Sequence, residues 1–335
     1  MRRGSANSPV FDAKLARIVR VLIEHPTVVV SGPKLAEEIG STRAGVWNLI
    51  QRLRTMGVEI AGHPASGYQL RAVPDLLLPE IIEPLVRGTI FSGQMHHYYR
   101  VGSTNTVAMK AAETGAPEGS VFLTEQQTAG RGRAAKRWHS AQSLGIYCSV
   151  VLRPKLPPSD VLVLSLSAGL AVESAIREIE PGVALDLKWP NDVLLNRRKV
   201  CGILTEMNAE ATSVRHIVVG IGINVNHAHF PGELADTATS LRLSTGKSCS
   251  RVELCAALLK SLDREYRSLL TGSDAGAQII RRFEQASSSV RGTRVRMEEE
   301  GGWEGISEGL DQRGFLRVRT TEGLRIVHSA SLSWG

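Results

Sequence analysis

The hydrophobic pattern of the chain changes near Pro79, and this change limits the folds that the sequence can adopt. Before it, apolar residues recur three and four positions apart, which is the spacing of a buried helix face. After it, short strand-like runs alternate with longer helical ones, and several strand-like runs are neighbours. The sequence therefore predicts an α+β protein of several domains, with a central mixed sheet rather than a regular strand–helix repeat.

The length and composition agree with a multidomain globular protein. The chain of 335 residues is longer than the usual domain of about 100–150 residues. Hydrophobic residues make up 42% and charged residues 22% of it, and no apolar run approaches the roughly 20 residues of a membrane span, so we expect no membrane partner. Cys148, Cys201, Cys249 and Cys255 form no Cys-x-x-Cys pair, which predicts reduced, buried thiols, no metal site and a cytoplasmic protein.

Residues 11–75 are predicted to form a winged helix-turn-helix, after a polar tail at residues 1–10 that we expect to be disordered. Apolar stripes predict a first helix from Asp12, a second from Pro33 and a third that begins at Ser41 or Thr42. Strands expected at 57–60 and 68–70, joined by a turn rich in Gly and Pro, predict the hairpin of the wing.

The polar face of the third helix carries candidate DNA contacts, namely Thr42, Arg43, Asn48, Gln51 and Arg52. Residues 1–75 hold ten Lys or Arg and six Asp or Glu, so this part of the chain is basic. A small helical interaction domain, with a charged face that is only solvated, is the alternative. The predicted wing and the basic excess favour DNA binding.

Residues 80–288 are predicted to form the central domain, and residues 289–335 a small SH3-like β-barrel. Strands of the central domain are expected at 98–101, 120–125, 145–152, 184–188, 193–196, 202–207 and 216–223, with helices at 105–114, 160–179 and 251–270. Strands of the barrel are expected at 294–298, 303–310, 316–320 and 324–327.

Two glycines alternate with two arginines in the segment Gly130-Arg131-Gly132-Arg133. Glycine lets the backbone lie close to a ligand, and the planar guanidinium group of arginine matches phosphate and carboxylate groups. The segment lacks the Gly-Lys-Ser/Thr ending of a Walker A loop. A ligand-binding loop, a solvated basic loop and a nucleic-acid patch are all compatible with it.

A second segment, Lys188-Trp-Pro-Asn-Asp192, contains a proline that predicts a turn presenting Asn191 and Asp192. Lys199 follows seven residues after Asp192, around a short return of the chain, so the two charges could meet in one pocket. A purely structural ion pair is the alternative.

Two further segments have a distinctive backbone. Gly102–Asn105 lies between a predicted strand and a helix, where its hydroxyls and free N–H groups could hold an anion or simply cap the helix. Gly220 and Gly222 lie within a predicted strand, which indicates that a ligand approaches the backbone closely. No third glycine opens a helix after them, so they are not a dinucleotide-binding fingerprint.

These segments, in this order, resemble the biotin protein ligases. The resemblance rests on Gly130–Arg133, Lys188–Asp192, Lys199-x-x-Gly202-Ile-Leu-x-Glu206 and Gly220–Asn224, and it extends over residues 11–330. The winged helix resembles that of the bifunctional members, which also act as biotin operon repressors. The family loop usually continues with Arg-Gly, whereas this chain has Ala134-Ala135.

The resemblance implies an ATP-dependent ligase with a class II synthetase-like central domain. It would join biotin and ATP to form biotinyl-5′-AMP, and a lysine of a biotin carboxyl carrier protein would then take the biotinyl group. Mg²⁺ would accompany ATP. The adenylate would act as corepressor, operator DNA would be a partner, and ligand binding would favour a homodimer.

The resemblance also assigns roles to residues of this chain. The catalytic residues would be Arg131, Arg133, Lys199 and Asp192. Biotin would contact Ser103, Thr104, Asn105, Gln127, Arg131, Gly132, Arg133, Lys199, Gly202 and Ile203, and ATP would contact Arg131, Arg133, Asn191, Lys199 and Asn224.

Three other functions are open at this point. A lipoate ligase shares the catalytic architecture, although the Lys-Trp-Pro-Asn-Asp segment and the winged helix argue against it. A transcription factor could bind biotin or its adenylate without any chemistry. A ligase that does not bind DNA would use residues 11–75 only for folding or for gating the active site.

Overall fold

The computed structural model describes residues 13–134, 136–272, 274–297, 302–328 and 332–334. The predicted disordered tail at residues 1–10 lies outside them, and so does Ala135 of the Ala134-Ala135 pair.

The N-terminal part folds as three helices and a hairpin. The elements are α1 (Ala13–Glu24), α2 (Gly32–Glu38), α3 (Arg43–Thr55), β1 (Ile60–His63) and β2 (Gly67–Leu70). The apolar stripe of α1, including Leu15, Ile18 and Leu22, is fully buried, as the helical spacing predicts. The Thr42 hydroxyl accepts the Gly45 N–H at 3.1 Å and so caps α3, which was one of the two predicted starts.

The hairpin begins three residues later than the prediction of a strand at 57–60. Gly57 has φ +87 and ends the third helix, so the chain reaches an extended conformation only at Ile60. Gly67, with φ +140, packs so closely on the preceding chain that a Cβ would lie 2.1 Å from the Val30 carbonyl oxygen. Val30 forms a β-bridge with Tyr68, which fixes the wing to the helices.

The central domain is built on a mixed sheet. Its strands are β3 (Met95–Tyr98), β4 (Val121–Thr124), β5 (Gly145–Leu152), β6 (Leu185–Lys188), β7 (Asp192–Leu195), β8 (Arg198–Ala209) and β9 (Val214–Asn224), and its helices are α4 (Pro79–Ile82), α5 (Thr104–Glu113), α6 (Val161–Ile179), α7 (Leu234–Thr237), α8 (Leu241–Thr245), α9 (Arg251–Thr271) and α10 (Ala275–Gln285). The strand order is β3-β4-β5-β9-β8-β7-β6, in which only the β3–β4 pair is parallel. Helix α5 packs on one face, where Ala108 and Ala112 meet Phe122, while the larger core with α6 and α9 is a separate cluster.

One prediction for this domain was wrong, and one core helix was not predicted. The first strand was expected at 98–101, but β3 ends at Tyr98, where its pairing with Thr124 stops, and Val101 makes only a single bridge to Gln127. The sequence analysis also missed α10, which carries Ile279, Ile280 and Phe283 into the core.

One helical stretch, Pro158–Ile179, is long and apolar enough to cross a membrane by length and composition. Of its most apolar window, 72% is buried inside the protein. This stretch, which contains α6, is therefore the core helix on which α9 and α10 pack.

The C-terminal part is an antiparallel sheet. Its strands are β10 (Arg291–Met297), β11 (Trp303–Leu310), β12 (Leu316–Thr320), β13 (Gly323–Val327) and β14 (Leu332–Trp334), in the order β13-β12-β11-β10-β14. The bounds of β11 and β12 are those predicted, because turns rich in Gly separate runs of alternating polarity. The predicted fold class is thus confirmed in all three parts.

Candidate functional site

A cavity of about 950 Å³ opens at the central sheet. Its lining brings together all the candidate residues of the central domain: Ser103, Thr104, Asn105, Gln127, Arg131, Gly132, Arg133, Asn191, Asp192, Lys199, Gly202, Ile203 and Asn224. These residues come from segments that are up to about a hundred positions apart in sequence, such as Asn105 and Leu204, whose groups hydrogen bond at 3.1 Å. The motifs therefore belong to one site.

One end of the cavity is held by neutral hydrogen bonds. At the start of α5, the Thr104 N–H and hydroxyl both donate to Oε1 of Gln127, at 2.9 and 3.2 Å. The Gln127 amide in turn donates to the Ser140 hydroxyl at 2.9 Å. Ser103 occupies the N-cap position at the start of α5, but its side-chain hydroxyl makes no capping hydrogen bond.

The same network continues onto the sheet. Ser149 of β5 donates to the Thr104 hydroxyl at 2.8 Å and to Oδ1 of Asn105 at 2.6 Å. Asn105 also donates to the Glu206 carboxylate at 2.9 Å. We call Ser103, Thr104, Asn105, Gln127, Ser140 and Ser149 the neutral end. Apart from Ser103, its side chains are fixed by one another, because they bond to partners of complementary type.

The other end carries charge, and we call Arg133, Asn191, Asp192 and Lys199 the charged end. Nζ of Lys199 lies 2.6 Å from Oδ1 of Asp192, as their spacing predicted. Arg133 donates to Oδ1 of Asn191 at 3.1 Å, and burial lowers its pKa. Ser149 and Asp192 belong to strands β5 and β7, which are three strand spacings apart, or about 14 Å.

Asn191 connects the charged end to the floor of the cavity. Its amide donates to the Ile203 carbonyl at 2.7 Å, and its own carbonyl accepts the Ile203 N–H at 2.9 Å. Asn224 is buried, and its amide donates to the Lys199 carbonyl at 3.4 Å. Burial also lowers the pKa of Lys188, the first residue of the Lys188–Asp192 segment.

The strand glycines line the cavity, and side chains of the protein lie against them. Gly202 and Gly222 are paired across β8 and β9, and the indole of Trp138 covers both. A Cβ on Gly222 would lie 2.4 Å from Nε1 of Trp138, and one on Gly220 would lie 1.9 Å from Oδ1 of Asn105. The close approach to these glycines is thus made by side chains of the protein itself.

The Gly130–Arg133 loop folds back on itself. Gly132 N–H donates to the Lys136 carbonyl at 2.7 Å, and Arg131 forms a β-bridge with Arg137. The Arg131 guanidinium lies 2.6 Å from the Glu206 carboxylate, which also accepts the Asn105 amide. Ala134 has φ +50, a conformation that favours glycine over alanine.

An aromatic wall closes the cavity near Ala238. Phe230 stacks on His227, with ring centroids 5.0 Å apart and an interplanar angle of 16°. His139 is tilted against His227 at 6.0 Å. Because His227 is buried, its pKa falls to about 4, and it is neutral at pH 7.

A buried ionic cluster lies next to the segment that carries Gln127. Glu125, which precedes Gln127 by two residues, is fully buried and lies 2.7 Å from Nη1 of Arg251. Arg251 also pairs with Asp75 at 3.0 Å. Burial alone would raise the pKa of Glu125, but the hydrogen bond from His97 and the charge of Arg251 lower it to about 2. The cluster ties the chain that follows the wing to the segment that carries Gln127.

The candidate DNA contacts lie together on α3. Arg43, Asn48 and Arg52 are exposed and Gln51 is half-buried, while the opposite face of the helix is in the core. Thr42 is exposed at the start of the helix, which its hydroxyl caps, as the sequence also predicted. Trp47, with 54% of its surface exposed, lies among them.

Sequence reasoning missed several residues that shape the cavity. Trp138, Ser140, Ser149 and the Glu125–Arg251 pair were not singled out as site residues. The signal for Trp138 was the pair of glycines on neighbouring strands, because two glycines without side chains leave space for an aromatic ring to pack on the sheet. No local pattern marks Ser149 or Arg251, since their partners are more than forty positions away.

No group of three or more His, Cys, Asp or Glu within the described ranges is arranged to hold a metal ion. The described cysteines are free and buried, as predicted.

Family models match two parts of the chain. Residues 98–224 match the biotin/lipoate A/B protein ligase family, and residues 14–69 match a helix-turn-helix domain. The chain is 35% identical to the bifunctional ligase/repressor BirA of Bacillus subtilis over 91% of its own length and 94% of the relative's. It is 33% identical to a biotin–[acetyl-CoA-carboxylase] ligase of Mycobacterium tuberculosis, over 72% of this chain and 91% of that one.

A solved structure shares the fold of the larger part. The biotin protein ligase of Aquifex aeolicus, in complex with biotin and ATP, superposes with a TM-score of 0.62 and 31% identity. The match covers 72% of this chain and 99% of that one.

Proposed function

The chain belongs to the biotin protein ligase family, whose bifunctional members are ligase/repressors, and we propose that it joins biotin to a carrier protein and represses transcription. In this proposal residues 11–75 bind operator DNA, residues 80–288 carry out the ligation, and residues 289–335 form the SH3-like barrel. Its relatives and its free, buried cysteines fit a cytoplasmic protein.

The single observation that carries the proposal is that one cavity gathers the Gly130–Arg133 loop, the Lys188–Asp192 turn and Lys199. This combination supplies a neutral polar pocket beside a group of cations. Such a pair of environments suits a substrate with a neutral ring system and a carboxylate that must be activated.

We propose that biotin lies with its ring system at the neutral end. Ser103, Thr104, Asn105 and Gln127 would donate and accept hydrogen bonds to the ring. The contacts of Thr104 with Gln127 and of Asn105 with Ser149 hold these groups in place for it. The backbone of Gly132 and the floor at Gly202 and Ile203 would enclose the chain that ends in the carboxylate. The carboxylate of biotin would then point toward the charged end.

The first chemical step brings two anions together. The biotin carboxylate attacks the α-phosphate of ATP, a bond forms between them, and pyrophosphate leaves. Repulsion opposes this approach, so fixed positive charge and alignment supply the rate. Arg131, Arg133 and Lys199 are the proposed donors of that charge, with Asn191 and Asn224 contacting the nucleotide.

The second step needs a neutral amine. The carrier lysine attacks the carbonyl of the mixed anhydride, the carbon–nitrogen bond forms, and AMP leaves with the bonding electrons. A free lysine has a pKa of about 10.4, so a base must take its proton. Asp192 is the proposed base. Lys199 contacts its Oδ1, which favours Oδ2 as the acceptor of the proton.

The resemblance also implies Mg²⁺ with ATP. The described residues do not form a carboxylate cage for it. Mg²⁺ bound through triphosphate oxygens would neutralise phosphate charge, which is its usual way of binding nucleotides.

The repressor role rests on the exposed face of α3 and on the wing. We propose that Thr42, Arg43, Asn48, Gln51 and Arg52 contact operator DNA, and that biotinyl-5′-AMP acts as corepressor. Binding of the adenylate would favour a homodimer, and a two-fold dimer would bind an inverted repeat.

Transfer of radiolabelled biotin to a purified carboxyl carrier domain, with ATP and Mg²⁺, tests the ligase. We expect labelled carrier, and unlabelled biotin should compete with the label whereas unlabelled lipoate should not. Label that stays on the protein as adenylate, without transfer, would favour a sensor. No labelled carrier with biotin, together with transfer of labelled lipoate to a lipoyl acceptor domain, would indicate a lipoate ligase.

A gel-shift assay with genomic fragments tests the repressor. Binding should strengthen when both biotin and ATP are present. Substitution of Arg43 and Asn48 by Ala should abolish the shift without affecting ligation. A chain that ligates biotin but shifts no fragment under any condition would be a ligase alone.

A further inference from the structure

Among the described residues, a directed hydrogen bond joins the C-terminal sheet to the Lys188–Asp192 segment. Trp189 is 2% exposed, and its indole N–H donates to the carbonyl oxygen of Gly314 at 2.9 Å. Gly314 lies in the turn between β11 and β12, 125 positions further along the chain. A buried indole N–H needs a partner, and here that partner belongs to the C-terminal sheet rather than to the central one.

The accepting carbonyl is itself held in place. The Asp311 carboxylate accepts the N–H groups of Arg313 and Phe315, at 2.9 and 2.8 Å, which closes the turn. Gly314 has φ +83, and a Cβ there would lie 2.8 Å from Cδ1 of Leu166 on α6. The turn is therefore closed by its own hydrogen bonds and lies so near α6 that position 314 has no room for a side chain.

The residues that follow Trp189 belong to the charged end. Asn191 accepts the Arg133 guanidinium at 3.1 Å and is bonded twice to Ile203. Asp192 holds Nζ of Lys199 at 2.6 Å. The indole is thus the last anchored side chain before the two residues that orient Arg133 and Lys199.

We propose that Trp189 is a positioning residue of the ligase, through which the C-terminal sheet holds the charged end of the cavity in register with the neutral end. This inference rests on the proposed function of the cavity. The neutral end is built from α5, β5 and the segment around Gln127, none of which takes part in the Trp189–Gly314 contact. Loss of that contact should therefore weaken the use of ATP at the charged end and leave ligand binding at the neutral end unchanged.

The Trp189→Phe variant tests the proposal, because it keeps an aromatic ring but removes the N–H donor, together with part of the indole's volume, a loss that the control variant shares. The Gly314 carbonyl then loses its partner, and the turn at Asn191 loses its anchor. We expect the KM for ATP in biotin-dependent ATP–pyrophosphate exchange to rise and kcat/KM for ATP to fall about tenfold. The dissociation constant of biotinol, the neutral alcohol analogue of biotin, should stay within about twofold of the wild-type value.

Trp303→Phe is the matched control. Trp303 is also a partly buried tryptophan of the C-terminal sheet, but its Nε1 has no hydrogen-bond partner among the described residues. The same substitution there should leave the KM for ATP unchanged. Thermal unfolding of both variants shows how much stability each has lost.

Two results would overturn the proposal. A Trp189→Phe protein that unfolds at a lower temperature but keeps its KM for ATP would show that the contact is only structural. Equal losses of biotinol binding and ATP use would show that the anchor does not act on one end. A wild-type protein without biotin-dependent exchange would instead refute the proposed function itself, so the two failures are distinguishable.

Discussion

The two ends of the cavity are built on opposite principles. At the neutral end, uncharged side chains such as Thr104, Gln127 and Ser149 bond to one another, and all three lie on or beside regular elements. At the charged end, Asp192 of β7 and Lys199 of β8 are held mainly by their mutual ion pair, and Arg133 comes from a loop and bonds to Asn191. The end that we assign to recognition of the biotin ring is therefore preformed by hydrogen bonds. The charges that we assign to activation of the biotin carboxylate are held by fewer contacts.

This difference has a physical reason. A hydrogen-bonded network fits one neutral shape and excludes others, because an unmatched buried polar group costs free energy. A carboxylate and a phosphate need positive charge instead, and long cationic side chains can follow the reacting atoms. Four predictions test the division, and they are ordered by expected size.

The largest effect is expected for Lys199→Ala. Removing this cation leaves Asp192 without its partner beside two reacting anions, so kcat/KM for adenylate formation should fall about 10³-fold or more. Rapid-quench measurement of biotinyl-5′-AMP checks this. Lys260→Ala, the same change at an exposed position on α9, is the control and should leave kcat/KM for adenylate formation unchanged.

A smaller and more selective effect is expected for Asp192→Asn. The carboxylate is the proposed base of the second step, so transfer from preformed adenylate should slow about 10²-fold while adenylate formation slows much less. Single-turnover assays of each half-reaction separate the two. Equal slowing of both would remove Asp192 from its assigned role.

Gly222→Ala tests the floor between the ends. A Cβ at this position would meet Nε1 of Trp138 at 2.4 Å, so the indole must move from its place over Gly202 and Gly222. We expect biotin affinity to fall about thirtyfold, or about 2 kcal/mol. Gly182→Ala, where a Cβ would meet nothing within 4 Å, is the control. Unchanged affinity in both would mean that the indole does not define the pocket.

The smallest effect concerns pH. His227 has a folded-state pKa of about 4 because it is buried, against an ordinary value of 6.5. Between these values the unfolded chain binds a proton that the folded chain does not, so stability present above pH 6.5 is lost as the pH falls toward 4. Between pH 7 and pH 5 the loss should be on the order of 2 kcal/mol.

Urea unfolding at pH 7 and pH 5 measures this loss. In His227→Phe the pH dependence should be weaker than in the wild type. His229→Phe, at an exposed position two residues away, should behave as the wild type does. If the free energy of unfolding changes equally between pH 7 and pH 5 in all three proteins, His227 is not the titrating group.

The sequence was sufficient for the parts of the fold that depend on local pattern. The helices of the N-terminal part, β5 and the strands β11 and β12 follow from periodicity and turn residues. It also brought Asp192 and Lys199 together, because a short hairpin leaves few alternatives. The position of β3 was missed since its register is set by pairing with β4 and not by its own residues.

The cavity itself was only partly predictable. Residues with a distinctive motif, such as Arg133 and Lys199, could be named from sequence, but those that hold them could not. Trp138, Ser149 and the Glu125–Arg251 pair act through partners far away in sequence. Such contacts arise only when the sheet brings distant segments together.

The division of the cavity is tested most directly by the dissociation constants of biotin and biotinol, measured calorimetrically for the wild type, Gln127→Ala and Lys199→Ala. Biotinol keeps the ring system and lacks the carboxylate. Gln127→Ala should weaken both ligands about tenfold and leave their ratio unchanged, whereas Lys199→Ala should weaken biotin alone. If Lys199→Ala weakens both ligands equally, or if Gln127→Ala changes their ratio, the two ends do not have the separate roles assigned to them.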